Sequence, residues 1–195
     1  MRLGIFGGSF DPPHLAHRAL ARVAGNALAL DELLWIPAGQ PWQKPRSITP
    51  AAHREAMVAL SLADTASWRL ESCELLRTGP SYMVDTLADI QSRLAYCTAQ
   101  CFLIIGQDQL SGLHTWHRFA ELLSRVTLAV AGRPGSGPTL DAKVQQAAQQ
   151  AVPLPPMHLS STDIRQRVAT GQPIEHMVLP AVARYIAQHG LYASP

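Results

Sequence analysis

Apolar residues along this chain fall into short solid runs, separated by longer stretches in which they recur every three or four positions. The short runs at residues 3–6, 33–37, 68–70, 102–105 and 126–131 predict strands. Several are apolar throughout, as strands of a parallel sheet buried on both faces are. The spaced stretches predict helices over 15–24, 51–62, 83–94, 140–152, 162–170 and 180–188. A sixth short strand is expected at 157–159, just before the helix from Thr162. Strands and helices alternate, which implies a doubly wound α/β parallel sheet. Gly171 and Gly190 stand where the last two helices would stop. Two loops, 38–50 and 131–139, are long and rich in Pro with Trp or Gly. In such a sheet ligands bind beyond the carboxyl ends of the strands, where loops of this kind collect.

A length of 195 residues suits a single domain over the whole chain. With 47% apolar residues and a net charge of +2, the chain is neither a disordered segment nor a general coat for polyanions. Phosphate binding would need a local site, and no nucleic acid or membrane partner is expected. No run of 18 apolar residues is present, and the N-terminal segment is too short and Gly-interrupted for a signal peptide. The three cysteines, Cys73, Cys97 and Cys101, are odd in number and lack C-x-x-C spacing. They read as packing residues of a cytoplasmic protein, with no zinc site.

The most informative segment is Gly7-Gly8-Ser9-Phe10-Asp11-Pro12-Pro13-His14-Leu15-Ala16-His17. It joins the first strand to the first helix. Adjacent glycines let the backbone approach a ligand closely. His14 and His17, three apart, share one helix face at its N-terminus, where an anion is favoured. The combination reads as a phosphate site. Late in the chain, Ser160-Ser161-Thr162-Asp163-Ile164-Arg165 reads as a helix start capped by Ser161, with Arg165 one turn in. Read alone, that second segment is no more than a capped helix.

Together the two segments resemble the H-x-G-H and I-S-S-T-x-I-R signatures of the nucleotidyltransferase superfamily, with Ala16 in place of the first signature's Gly. The likeness runs nearly end to end with the bacterial nicotinate-nucleotide adenylyltransferase family. It takes in Arg54, Pro80-Ser81-Tyr82-Met83-Val84-Asp85-Thr86-Leu87, Ile105-Gly106-Gln107-Asp108, Trp116, Arg133-Pro134-Gly135 and Gly190-Leu191-Tyr192. The resemblance implies a Rossmann-like fold and adenylyl transfer from ATP to nicotinate mononucleotide, with Mg²⁺ carried by the ATP phosphates. It makes His14, His17 and Arg165 the catalytic set. ATP would meet Gly7, Gly8, Ser9, Gly106, Asp108, Ser161, Thr162, Ile164 and Arg165. The mononucleotide would meet Lys44, Tyr82, Met83, Thr86 and Trp116, with Trp116 stacking on the pyridine ring. Met83 stands where the family commonly has Thr. Asp11 would act through water or hold the turn. Other nucleotidyltransferases, using nicotinamide mononucleotide or phosphopantetheine, are the alternative, as is a nucleotide-sensing module without turnover. A homo-oligomer is left open.

Overall fold

A computed structural model of the chain describes residues 1–40, 48–132 and 141–193. Strands β1 (Arg2–Gly8), β2 (Glu32–Pro37), β3 (Trp68–Leu70), β4 (Gln100–Ile105), β5 (Val126–Ala131) and β6 (Gln149–Val152) form one sheet. Their order is β3-β2-β1-β4-β5-β6, and every pairing is parallel. Connections from β1 run outward one way to β2 and β3, then return across it to β4. The order therefore reverses between β1 and β4, which opens a crevice at their carboxyl ends.

The apolar runs supply both faces of the sheet through the two-residue alternation of strand side chains. Leu3, Ile5, Leu34, Ile36, Leu103 and Ile105 point to one side. There they pack with Val84, Leu87 and Ile90 of α4 (Met83–Gln91) and Leu122 of α6 (Phe119–Arg125). Phe6, Leu33, Trp35, Phe102 and Ile104 point to the other, against Leu20, Ala21 and Ala24 of α1 (Leu15–Ala27) and Val58 and Leu62 of α2 (Ala51–Leu62). A third cluster joins Met57 of α2 to Ile164 of α8 (Ser161–Ala169) and to Val182 and Ile186 of α9 (Pro180–Gln188). Gly171 and Gly190, both at positive φ, follow α8 and α9 as expected.

The expectations fail mainly in the last third of the sheet. The helix predicted over 140–152 is replaced by a short one, α7 (Ala142–Gln146), followed directly by β6. In β6 only Val152 is buried, so no alternation or apolar run marks this edge strand. The strand expected at 157–159 is absent, because residues 153–160 have no regular structure. Pro153, Pro155 and Pro156 lead into it and cannot donate to a ladder. α4 stops at Gln91, three residues early. Three short elements escaped the pattern, namely α3 (Cys73–Leu76), α5 (Gln107–Gly112) and α6, each too short to show a helical period. Of the cysteines, Cys101 is buried and Cys73 half-buried, but Cys97 is exposed and is no packing residue.

Candidate active site

A cavity of about 550 Å³ opens at the carboxyl ends of β1 and β4. Its first wall is the turn after β1. A Cβ on Gly7 would lie 2.5 Å from the Met83 Cε, so the turn runs directly under that side chain, whose methyl end would have to shift for any larger residue. Phe10 adopts φ of 46°, costly for an aromatic residue. Its ring is buried edge-on to Phe6 at 5.4 Å and beside Trp35 at 5.1 Å, so core packing holds the turn in place.

Buried polar groups tie the turn to distant parts of the chain. Asp11 is fully buried, and its Oδ1 accepts from the Tyr192 hydroxyl at 2.8 Å. Its backbone carbonyl accepts from Arg165 Nη1 at 2.7 Å. The Arg54 guanidinium, only 1% exposed, donates to the carbonyls of Ser9 (3.0 Å), Thr49 (2.8 Å) and Gly39 (3.4 Å). Burial pulls the Arg54 pKa down, and Asp11, Tyr192 and Glu74 oppose that. Asp11 therefore fixes the turn, one of the two roles open to it from the sequence.

His14 caps α1 from an extended conformation, and its N–H donates to His17 Nδ1 at 3.2 Å. The two rings stack with centroids 3.7 Å apart and planes 23° from parallel. Because His17 Nδ1 accepts, Nε2 is the ring nitrogen that carries the proton, on a ring that lines the cavity. Burial depresses the His14 pKa to about 4, so this imidazole is neutral at pH 7. Its Nδ1 is buried with no partner among the described residues. The helix N-terminus is not wholly free, since the Leu15 N–H is taken by the Met177 carbonyl at 2.9 Å.

The N-terminus of α8 forms a second wall. The cap is Ser160 rather than Ser161: the Ser160 Oγ accepts from the Asp163 N–H at 3.1 Å. Ser161 instead donates to the Pro12 carbonyl at 2.9 Å, fastening α8 to the first turn. Arg165 lines the cavity, with Nη2 on Thr162 Oγ1 at 3.1 Å. Ile164 does not join them, because its side chain is wholly within the third core cluster. Gly106 caps α5 and Asp108 lies in that helix's first turn, both on the cavity wall.

The far wall is built from the loop after β2, α3, the entry to α4 and the segment at 116–117, and contains Ala38, Glu74, Ser81, Tyr82, Met83, Trp116 and His117. The Tyr82 and His117 rings stack at 4.2 Å and 26°. Thr86, expected among the substrate-binding residues, is fully buried behind this wall, its hydroxyl donating to Glu74 Oε1 at 2.7 Å. Lys44 and the segment Arg133-Pro134-Gly135 lie outside the described residues. The sequence reading missed Glu74 and His117. Glu74 sits in the four-residue α3, where no period is visible; His117 follows Trp116 directly, and that adjacency was the available signal.

A parallel sheet of this order, with a glycine-rich turn and two helix N-termini at the switch point, defines a nucleotide-binding α/β protein. The sequence pattern of the cytidylyltransferase-like family matches residues 5–167. Relatives named probable nicotinate-nucleotide adenylyltransferase include one from Methylibium petroleiphilum, 46% identical over 100% of this chain and 93% of its own. Another, from Albidiferax ferrireducens, is 42% identical over 98% of each chain. The chain belongs to the nicotinate-nucleotide adenylyltransferase family, within the broader cytidylyltransferase-like one. Its fold is also that of the nicotinic acid mononucleotide adenylyltransferase of Plasmodium falciparum, solved with NaAD, at TM-score 0.79 and 17% identity over 98% of this chain and 97% of that one.

Proposed function

We propose that this chain transfers the adenylyl group of ATP to nicotinate mononucleotide, giving nicotinate adenine dinucleotide and pyrophosphate, a step of NAD synthesis. The observation that carries this reading is one cavity with phosphate-binding chemistry at one end and aromatic side chains at the other. A mononucleotide phosphate oxygen attacks the ATP α-phosphorus, the bond to the β-phosphate oxygen breaks, and pyrophosphate leaves. No covalent enzyme intermediate is needed, so the chain's work is positioning and charge stabilisation.

His17, with its proton on Nε2, donates to the reacting phosphate, and the neutral His14 ring stacked on it holds that orientation and adds a second imidazole. Arg165 grips the ATP polyphosphate with the planar, multi-donor geometry that suits phosphate oxygens. Gly7, Gly8 and Ser9 bring backbone close to the nucleotides, and Gly106 and Asp108 meet ATP at the end of β4. Trp116 stacks on the pyridine ring, with Tyr82, Met83 and Lys44 around the mononucleotide. Glu74 and Asp108 are the acidic side chains among the described cavity residues, too few for a metal cage. Mg²⁺ therefore fits as an ion held by ATP oxygens and water, where it would neutralise developing phosphate charge. No helix among the described residues is long and apolar enough to cross a membrane. The three cysteines, odd in number and without C-x-x-C spacing, suit a cytoplasmic location.

The test is mass spectrometry of products after incubation with ATP, Mg²⁺ and each pyridine mononucleotide. The acid should give the dinucleotide, with kcat/KM far above that for the amide, by about 10⁴ in a favourable case. Equal use of the two would overturn the acid preference. ATP binding without any product would return the chain to a nucleotide-sensing role.

A further inference from the structure

Glu74 is a carboxylate buried in the wall of the cavity, only 3% exposed, and the proposed reaction gives it no step. Its surroundings show what it holds. Thr86 donates to its Oε1, and Arg77 Nη1 in turn donates to the Thr86 hydroxyl at 3.0 Å. The Ser81 hydroxyl lies against this part of α3: a Cβ on Gly39 would be 3.3 Å from its Oγ and 2.0 Å from the Glu74 carbonyl oxygen. That hydroxyl accepts the backbone N–H of Gly39 at 3.0 Å and of Gln40 at 3.1 Å. A hydroxyl has one proton and two lone pairs. With both lone pairs taken by N–H groups, its proton is left to donate, and the neighbouring Glu74 carboxyl is the acceptor we assign to it.

Ser81 is thus the junction of two loops. One leaves β2 at 38–40, and the other enters α4 at Tyr82 and Met83. The Ser81 N–H closes the same junction by donating to the Gln40 carbonyl at 3.0 Å. Space is tight as well, and the first loop rests directly on the backbone of α3. Burial raises the Glu74 pKa, while the hydrogen bonds from Thr86 and Ser81 and the charges of Arg77 and Arg54 work against that rise.

We infer that Glu74, acting through Ser81, is a positioning residue for the mononucleotide: it sets the backbone of 38–40 and of Tyr82–Met83 that walls the pyridine end of the cavity. The inference rests on the reading of this cavity as the site of a mononucleotide and ATP. Losing the carboxylate lets the Ser81 proton turn elsewhere, the two N–H groups lose their acceptor geometry, and the wall loosens. The ATP end, tied through Asp11 and Arg165, keeps its geometry, and Arg54 still holds the Ser9 and Thr49 carbonyls.

Ser81→Ala and Glu74→Gln are each compared with wild type in steady-state kinetics, together with the double variant. Glu74→Gln keeps the side-chain volume but replaces one of two acceptors with an NH₂ group. Each single change should raise KM for nicotinate mononucleotide about tenfold, the scale of one buried hydrogen bond left unmade. KM for ATP should stay within about twofold. The double variant should be no worse than the poorer single one, because both changes break the same relay. Glu74→Asp, which keeps the carboxylate, should recover part of the loss. An equal rise in both KM values, additive effects, or unaltered mononucleotide kinetics would overturn the inference. Wild-type enzyme inert toward nicotinate mononucleotide would instead overturn the function on which it rests.

Discussion

The two ends of the cavity are built on different plans. At the phosphate end, backbone and side chains come from two compact segments, the turn after β1 and the start of α8, cross-linked by Ser161 to Pro12 and Arg165 to Asp11. At the pyridine end, single residues from separate segments meet around Ser81 and Trp116. Reacting phosphates impose one demanding geometry, and a contiguous segment meets it with few degrees of freedom. A flat ring and its substituent can be held by many loop arrangements, so that end is assembled from scattered contacts. Damage should follow the same division: changes at the phosphate end should slow the chemistry, and changes at the pyridine end should weaken one substrate.

The largest effect is expected from His14→Ala. It removes one of the two stacked imidazoles, and kcat should fall by roughly 10²–10³, the scale of one preorganised transition-state donor. Thermal melts should show the variant folded. A kcat at the wild-type level would break the division at its strongest point.

His14 also makes a prediction about acid. Its folded pKa of about 4 lies below the ordinary value of 6.5, so the unfolded chain takes up a proton first as pH falls. The stability it contributes is complete above about pH 6.5, is lost between there and about pH 4, and amounts to about 3 kcal/mol. Melts of wild type and His14→Asn over this range should diverge accordingly, and parallel curves would exclude His14 as the source.

Arg165→Ala should raise KM for ATP by about tenfold or more, the loss of a charge-assisted bond to phosphate, and KM for the mononucleotide by less. An equal rise in both would mean that its bond to the Asp11 carbonyl matters more than any grip on ATP. The mildest change is Trp116→Ala. Loss of one stacking face should weaken both pyridine mononucleotides by about tenfold and leave most of the acid-to-amide ratio intact. A collapsed ratio would make the indole itself the source of the selection.

What could be read from the sequence follows the same division. The strands at 3–6, 33–37 and 102–105 are visible because they are buried on both faces, and the turn from Gly7 to His17 because its chemistry is contiguous. β6 was invisible because three of its four residues are exposed. Ser161 and Ser160 are adjacent and chemically alike, so only geometry shows which caps α8 and which reaches the Pro12 carbonyl. Thr86 and Ile164 sit in segments that resemble the family's binding motifs, yet the helical turn aims both inward. Glu74 carried no signal, since its partners Ser81 and Thr86 gain meaning only once α3 and α4 are packed together.

The hydrogen bond between Tyr192 and Asp11 joins residues 181 positions apart. A ribosome makes the first turn well before Tyr192, and at about 5–20 residues per second the interval is on the order of ten seconds or more. Asp11 lacks Arg165 on its carbonyl until residue 165 is made, and the Tyr192 hydroxyl until residue 192. A growing chain can pair β1 with β2 and still lack a finished phosphate turn. Completion of the site therefore waits for residue 192, and a chain stopped short of it is a sheet without a finished cradle.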